Sequence, residues 1–496
     1  MRMNVEQCEY DYLMKRGLIM KLKHFMHLLK WVSLLMILTT YFTFVTHAEP
    51  LISLSKQESL DEYIQSNLDK LSVPNASVAI SYQGELVYSQ VFGQSISKDS
   101  NFYIGSISKS LTALAIAQLE YQGKISLDQR VSTYIDEFSI SDEITVRHLV
   151  HHVSGMTEKE YSSWGALPSD ADFSQLVHDM NNMTLTHTPG EQFAYFNPNY
   201  SLLGYIIENV TGLSYVDYID EYIIKPLKLK NTSAIKEVDV QGNLSFFGFS
   251  FKRDEQPFNY DLPAGYITST AEDLLLFMDA IRYDPQSVGL SDDGFKTLTQ
   301  TYPTDNFYSM GWMNYDLADR QAIHHGGSLP GYSSNAIMLV EDDYNIALLL
   351  NKNHLLTSSI LYPDLSEGII RILYDEKVPT SSSYFLVYRM LLILFAFTII
   401  SNGKKIFTLI KNDDIKTRKY RIKAIIINLA IPVVVVMLLP LLAGLIFAQR
   451  GMSWALVYLL MPDLIIWLIV GLSVHLIEVA IHIVKLVKEN KSVKIN

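Results

Sequence analysis

The sequence of 496 residues contains a single cysteine, and its middle region lacks a clustered basic face. Cys8 precedes the first apolar block, so a portion exported beyond that block would hold no cysteine and could form no disulfide. This fits export from a bacterium better than a disulfide-stapled secreted domain. The formal net charge is −12 at pH 7. Because binding to phosphates needs a basic face, the composition argues against nucleic acid as a partner.

The N-terminal 48 residues have the pattern of a targeting segment. Five Lys or Arg side chains between residues 15 and 30 precede the apolar run WVSLLMILTTYFTFV, and the small residue Ala48 follows. This order predicts a signal peptide over residues 1–48, cleaved after Ala48. The apolar run is shorter than the roughly 20 residues that a membrane-spanning helix needs, although an uncleaved N-terminal anchor stays open.

The C-terminal part, residues 384–496, reads as a membrane domain. It follows a Ser-rich linker at 378–383, and its three apolar segments predict membrane spans at about 384–401, 424–448 and 454–483. Basic residues dominate the loop between the first two segments and the C-terminal tail, and the positive-inside rule places both in the cytoplasm. We therefore expect a multi-pass protein of a bacterial cytoplasmic membrane, with the lipid bilayer as a partner and the central region outside.

Three ionisable residues lie in or near the third predicted span: Asp463, His475 and Glu478. Ionisable groups inside a membrane are functional candidates by default. The favoured interpretation is that Asp463 belongs to an outer interfacial stretch after a break at Pro462. His475 and Glu478 would then face neighbouring helices.

The segment FYIGSISKSLTALAI begins a predicted helix with a serine and a lysine three residues apart. Ser106 and Lys109 share one helix face, so the lysine amine can reach the serine hydroxyl. Burial beside a positive helix N-terminus favours the neutral amine, which can accept the hydroxyl proton. The pair therefore predicts a nucleophile and its base, although S-x-x-K alone is a weak signal.

Two further motifs make the pattern specific. YFN contains Tyr195 and Asn197, and HGG contains His325, Gly326 and Gly327. With SISK, YFN and HGG in this order, the chain resembles the serine β-lactamase and penicillin-binding hydrolases. The resemblance spans roughly residues 52–375 and is strongest to the class C β-lactamase, D-alanyl-D-alanine carboxypeptidase and esterase branch.

The resemblance implies catalytic roles for three side chains and two backbone groups. Ser106 would be acylated, Lys109 would share its proton, and the Tyr195 phenol would shuttle protons. The backbone N–H groups of Ser106 and Ser328 would form the oxyanion hole, which commonly supplies about 10²- to 10³-fold in rate per donor. No metal or cofactor is implied.

The same resemblance implies a substrate-binding set of Asn197, His325, Gly326 and Gly327. Asn197 would hold a substrate amide, and His325 would meet a carboxylate or a developing charge. Gly326 and Gly327 would let substrate lie along the strand without side-chain interference. His324 is the alternative to His325, but the distance to the following Pro-Gly favours His325.

The histidines of VRHLVHH offer a different interpretation. His148, His151 and His152 have helical spacing that could hold zinc. The family that the chain resembles carries the same segment without metal, so no metal site is predicted.

The implied fold is α+β, with an antiparallel sheet flanked by helices over residues 49–377 and an inserted all-α subdomain. The active site would lie between the two parts. The hairpin pattern at 76–93 and the strand patterns after residue 308 agree with sheet at both ends and helices between. The three-helix membrane segment would follow.

We therefore expect a membrane-anchored, extracytoplasmic serine hydrolase that forms an acyl-enzyme on small peptides or amides, with a D-amino acid as in cell-wall peptides. One alternative is a D-aminoacyl peptidase that activates prodrugs in an antibiotic pathway. Such D-asparaginyl peptidases share the three C-terminal spans, but we expect an acidic residue where this chain has Tyr103. Esterase activity stays open, and β-lactamase activity is disfavoured because His325 replaces the usual lysine. A non-catalytic penicillin-binding envelope protein is the alternative of another class.

Overall fold

The computed structural model describes residues 30–31, 52–158, 160–161, 167–235, 237–305, 307–379, 384–411, 417–446 and 461–493. The predicted signal peptide or anchor lies outside the described residues except for positions 30–31. Most of the predicted linker and the stretch between the last two predicted spans lie outside them as well.

The strands lie between residues 76 and 353 and form three sheets. They are β1 Ala76–Tyr82, β2 Glu85–Phe92, β3 Phe102–Tyr103, β4 Gly242–Phe246, β5 Phe249–Arg253, β6 Thr268–Ser269, β7 Met313–Leu317, β8 Arg320–Leu329, β9 Tyr332–Leu339, β10 Tyr344–Leu350 and β11 Lys352–Asn353. Six of them form an antiparallel sheet in the order β2-β1-β10-β9-β8-β7. Smaller sheets join β11-β4-β5 and β3-β6.

The β1–β2 hairpin forms because its turn sequence suits the twist of the strands. Gln83 and Gly84 both have positive φ, 52° and 79°. Two such residues make the turn that matches right-handed strand twist, and Gly adopts this conformation readily. The Gln-Gly pair therefore fixes the hairpin where the alternating pattern predicted it.

The helices include some that pack on the main sheet, some that are inserted in sequence between its N- and C-terminal strands, and three long apolar ones at the C-terminal end of the described residues. They are α1 Leu54–Leu71, α2 Ser108–Tyr121, α3 Val146–Val150, α4 Phe173–Met180, α5 Pro198–Thr211, α6 Tyr215–Ile219, α7 Lys225–Leu227, α8 Leu262–Gly265, α9 Ala271–Tyr283, α10 Gly294–Thr299, α11 Leu355–Leu373, α12 Tyr384–Lys411, α13 Arg418–Ile446 and α14 Pro462–Val493. Helix α2 is buried from Ser108 to Leu119 and packs against α5 and α8. A helix covered on every side needs apolar or hydrogen-bonded side chains all round, which explains its weak amphipathicity.

The predicted fold class is confirmed. N-terminal strands β1 and β2 pair with C-terminal strands β7–β10 to make the main sheet, and helix α9 packs on its β1 and β10 strands. Helices α3–α7 are inserted between the two parts of the sheet. The SISK motif covers the short turn before α2 and the first residues of α2, where β8 and helices α5 and α8 pack against it.

Helices α12, α13 and α14 are each long and apolar enough to cross a membrane. Their bounds differ from the predicted spans, because α12 continues to Lys411 and α13 begins at Arg418. The prediction ended each span where the charges begin, but Lys and Arg are good helix formers, so the helix continues through them. Helix α14 has 32 residues, about 48 Å, and so exceeds the roughly 30 Å of a hydrocarbon core.

Two of the three ionisable residues noted in this part face neighbouring helices, as the favoured interpretation predicted. A hydrogen bond of 2.7 Å joins His475 Nδ1 on α14 to Asn428 Oδ1 on α13. Glu478 on α14 pairs with Lys405 on α12 at 2.7 Å. These polar contacts join all three helices.

Candidate active site

Ser106 lies in a tight turn, Gly105–Ile107, between β3 and α2. The Ile104 carbonyl accepts a hydrogen bond from Ser334 Oγ (2.7 Å), and the Gly105 carbonyl accepts one from Ser108 Oγ (2.7 Å). Gly105 has φ +54°, and a Cβ there would come within 2.6 Å of the Ser328 nitrogen. The backbone of β8 therefore lies directly against the turn that carries the serine, which requires glycine at position 105.

The Lys109 amine is buried and directed at the serine. Nζ is 3.1 Å from Ser106 Oγ and donates to Asn197 Oδ1 (2.8 Å) and to the Ala264 carbonyl (2.5 Å). Burial lowers the pKa of Lys109 to about 7, against the opposing effect of the negative charge of Asp261. A substantial fraction of this amine can thus be neutral near pH 7 and accept a proton from the hydroxyl.

Tyr195 faces the same hydroxyl from the segment that precedes α5. Lys109 Nζ lies 5.0 Å from the centroid of its ring, and the His152 ring packs against it with centroids 4.4 Å apart. Burial raises the pKa of Tyr195, and the interaction with Ser106 partly offsets that rise. The phenol is therefore neutral at neutral pH and can donate its proton.

The Asn197 side chain contacts Lys109 directly. Its side-chain oxygen accepts the Lys109 hydrogen bond, which orients the amine toward Ser106. The predicted contact between Asn197 and a substrate amide stays a prediction.

His325 lies on the active-site side of β8, and His324 on the other side. The His325 ring is 6.5 Å from the Tyr195 ring, whereas the His324 ring packs edge-on against Tyr315 at 4.0 Å. His325 Nε2 is 3.1 Å from the Tyr308 hydroxyl, and Nδ1 is 2.8 Å from the Gly326 carbonyl. Burial lowers the pKa of His325 to about 3, and the charge of Lys109 adds to that effect. The ring is therefore neutral.

The two glycines after His325 have different surroundings. A Cβ on Gly327 would lie 2.0 Å from the Ile104 carbonyl oxygen and 2.0 Å from Ser334 Oγ, whereas on Gly326 it would meet nothing nearer than 3.9 Å. Gly327 thus makes room for the serine's own turn. The expectation that it also makes room for substrate stays a prediction. Gly326 is exposed, and the role predicted for it beside substrate stays a prediction.

The close approach of Gly105 to the Ser328 nitrogen puts the turn that carries Ser106 beside Ser328. The oxyanion hole formed by their two backbone N–H groups stays a prediction. Asn353 on β11 fixes the Ser328 side chain, because its amide donates hydrogen bonds to Ser328 Oγ (2.7 Å) and to the Leu329 carbonyl (2.8 Å). The end of β8 is therefore fixed from β11.

Three participants were not identified from the sequence. Asp261 is a buried carboxylate whose pKa is raised by burial and lowered by the nearby Lys109, and Ser201 donates to it at 3.2 Å. The Ala264 carbonyl accepts from the lysine, and the Tyr308 hydroxyl reaches His325. Ala264 lies in the segment AGYITSTAEDLLLF and Tyr308 in the segment YSMGW. Both segments also resemble the family, so the sequence carried a signal for these two residues.

The histidines considered for zinc have other contacts. His148 Nδ1 accepts the Thr145 N–H at 3.3 Å in a helix cap, and His152 Nδ1 accepts the Phe196 N–H at 3.2 Å. His151 packs on the Tyr302 ring with centroids 5.5 Å apart. His152 thereby supports the Tyr195 ring from a fixed position.

The C-terminal helices contact the catalytic region next to β11. His354 Nε2 is 3.2 Å from the Asp463 carboxylate of α14, and His354 Nδ1 is 2.9 Å from the Tyr388 hydroxyl of α12. The Phe247 ring also stacks on Phe395 of α12 at 4.9 Å. Asp463 therefore lies at the end of α14 that contacts the sheet-containing region, and its interfacial position in a membrane stays a prediction.

Comparisons with known proteins show the family and the fold of this chain. The family model described as Beta-lactamase matches residues 60–363. Protein flp of Staphylococcus aureus strain MW2 is 28% identical over 318 residues, covering 60% of this chain and 63% of its own. Penicillin-binding protein 4* of Bacillus subtilis is 24% identical over 310 residues, covering 56% and 68%. This chain thus spans less than two thirds of the Flp length.

Two solved structures are similar in fold. The octameric penicillin-binding protein homologue from Pyrococcus abyssi is 25% identical with a TM-score of 0.57, covering 67% of this chain and 81% of its own. A D-stereospecific amidohydrolase from Streptomyces sp. is 25% identical with a TM-score of 0.51, covering 59% and 94%. Each similarity covers more than half of this chain.

Proposed function

Because this chain belongs to the β-lactamase family, whose members include serine hydrolases, we propose that it cleaves peptides or amides with a D-configured residue through an acyl-enzyme on Ser106. The observation that carries the proposal is the buried Lys109 amine 3.1 Å from Ser106 Oγ, with its pKa lowered toward neutrality. The similarity to a D-stereospecific amidohydrolase supports the D-configured substrate.

In the proposed acylation, Ser106 Oγ attacks the substrate carbonyl and its proton passes to the neutral Lys109 amine. The N–H groups of Ser106 and Ser328 stabilise the oxyanion that forms. When the carbon–nitrogen bond breaks, the Tyr195 phenol donates a proton to the leaving amine, and Lys109 restores the proton of Tyr195. A water molecule then attacks the ester, giving up its proton to Lys109, and the same groups return a proton to Ser106.

The far wall of the site favours one class of substrate. His325 is neutral, its Nε2 is 3.1 Å from the Tyr308 hydroxyl and its Nδ1 is 2.8 Å from the Gly326 carbonyl, so the ring puts no positive charge on this wall. A substrate carboxylate beside the scissile bond gains little from such a wall. We therefore favour an amide or an N-terminal D-aminoacyl group over a peptide with a free C-terminal carboxylate.

A prodrug-activating D-aminoacyl peptidase is the second candidate, and the three apolar C-terminal helices favour it. Tyr103 opposes it, because its ring is buried and packs edge-on against Tyr266 and Tyr332, with centroids 6.0 and 5.4 Å apart. No carboxylate stands at position 103 to hold an asparagine side chain. Anchoring in a cytoplasmic membrane, with the catalytic domain outside, is part of either proposal.

Paired substrates test the proposal. We expect the full-length protein to release nitroaniline from D-alanine p-nitroanilide at least about 10-fold faster than from the L-enantiomer, and Ser106→Ala to release none from either. N-acetyl-D-alanyl-D-alanine, which has the C-terminal carboxylate, should be the poorer substrate. Equal rates for both enantiomers would contradict the D-specific proposal, cleavage of esters alone would indicate an esterase, and undiminished turnover by Ser106→Ala would exclude the mechanism.

A further inference from the structure

A cavity of about 720 Å³ lies between the C-terminal helices, at the end opposite the contact with the catalytic region. Five basic side chains line it: Lys404, Lys405, Arg421, Lys423 and Lys485. Glu478 pairs with Lys405 at 2.7 Å, and Glu489 pairs with Arg421 at 2.6 Å. Among the described residues, these five positive charges against the two carboxylates leave a formal surplus of three.

The inner wall of this basic cavity consists of buried polar side chains. Arg421, Asn428, Glu478 and His482 are each less than one tenth exposed. Polar groups buried among membrane helices are costly, so a cluster of them is a functional candidate. The exposed Lys404 and Lys423 stand at the rim above this wall.

An apolar groove of about 310 Å³ continues from the basic cavity between α13 and α14. The groove and the cavity share Ile431 and His475, and the groove extends along α14 past Gly471 to Leu464. A Cβ on Gly471 would meet nothing within 4 Å, so the groove is open at that residue. From His475 to Leu464 the helix rises about 16 Å, close to half of the roughly 30 Å hydrocarbon thickness.

The basic cavity is polar, and the groove joined to it is apolar and about one leaflet long. This combination fits an amphiphilic ligand better than a small ion. We propose that the three helices bind one anionic phospholipid of the inner leaflet, its phosphate in the basic cavity and one acyl chain in the groove. The proposal rests on the membrane placement given under Proposed function, and it concerns a site remote from Ser106. Its surplus of positive charge selects against zwitterionic headgroups.

Native mass spectrometry of the full-length protein in detergent, titrated with dioleoylphosphatidylglycerol, tests the site. Each basic side chain near an anionic lipid contributes about fivefold in affinity, so Lys404→Gln with Lys423→Gln should weaken binding at least about 10-fold. The matched control, Lys411→Gln with Lys419→Gln, removes the same charge outside the cavity and should stay within about twofold. Gly471→Leu, which fills the groove, should weaken lipid binding as well.

Equal loss in both double variants, or dioleoylphosphatidylcholine binding as tightly as phosphatidylglycerol, would overturn the proposal. So would binding of inorganic phosphate that competes with the lipid, because that result indicates a site for a free anion. D-alanine p-nitroanilide hydrolysis, measured on the same preparations, separates the two proposals. A protein that binds the lipid but hydrolyses nothing contradicts the proposed hydrolase and leaves the lipid site standing.

Discussion

Replacing Lys109 with methionine should lower kcat/KM for D-alanine p-nitroanilide by about 10³-fold or more, because the serine loses its proton acceptor. Methionine has a similar length and keeps the buried volume, but it has no amine. The three contacts of Nζ, to Ser106, Asn197 and Ala264, would be lost together. The loss should appear in kcat with little change in KM, since the amine acts on the reacting hydroxyl.

A second buried lysine provides the matched control. Lys352 lies on β11, donates to the Leu71 carbonyl at 2.8 Å, and has its pKa lowered by burial to about 8. Lys352→Met removes a buried amine of the same kind away from the serine, so hydrolysis should stay within about threefold in the folded protein. A Lys109→Met variant that keeps more than a tenth of wild-type kcat/KM would contradict the assignment of Lys109 as the base.

Gly327→Ala should reduce kcat/KM by about 10²-fold or more and should also lower the melting temperature. The new methyl group would lie 2.0 Å from both the Ile104 carbonyl oxygen and Ser334 Oγ, so the turn that carries Ser106 must move. Overpacking of this kind commonly costs about 1 to 3 kcal/mol, and displacing the turn separates the two oxyanion donors. Steady-state kinetics and thermal unfolding of the same preparations measure both effects.

Gly326, which precedes Gly327 on the same strand, provides the control for this variant. Gly326→Ala adds the same methyl group to the same strand, but there its nearest atom lies at 3.9 Å, an ordinary contact distance. This variant should keep its melting temperature, and its loss of kcat/KM should be clearly smaller than that of Gly327→Ala. If Gly327→Ala behaved as mildly as Gly326→Ala, the close approach of β8 to the serine turn would be refuted.

Local patterns were enough to predict much of the site. The three-residue spacing of Ser106 and Lys109 predicts a shared helix face, and the structure brings their side chains to 3.1 Å. Neighbouring residues of a strand point to opposite faces, so only one of His324 and His325 can face the serine. The distance to the following Pro-Gly favoured His325, and the His325 ring is the one that lies near Tyr195. Hairpin β1–β2 was predictable because its turn chemistry is local as well.

Other parts of the site depend on tertiary contacts that no local pattern records. Asp261 acts on Lys109 across more than 150 residues of chain, and its burial is a property of the packed helices. The reason for Gly327 is the carbonyl of Ile104, which is distant in sequence. Charge patterns in the C-terminal part predict where the three membrane spans end. They do not predict that Asp463 contacts His354.

The pH dependence of labelling by a fluorophosphonate probe tests most directly whether a neutral Lys109 activates Ser106. Because burial lowers the pKa of Lys109 to about 7, its base form is lost as the pH falls below that value. The rate of labelling should therefore fall about tenfold per pH unit between pH 6 and 5 and level off above pH 8, with the adduct mapped to Ser106. A rate that does not change between pH 5 and 8, or an adduct on another residue, would contradict the account.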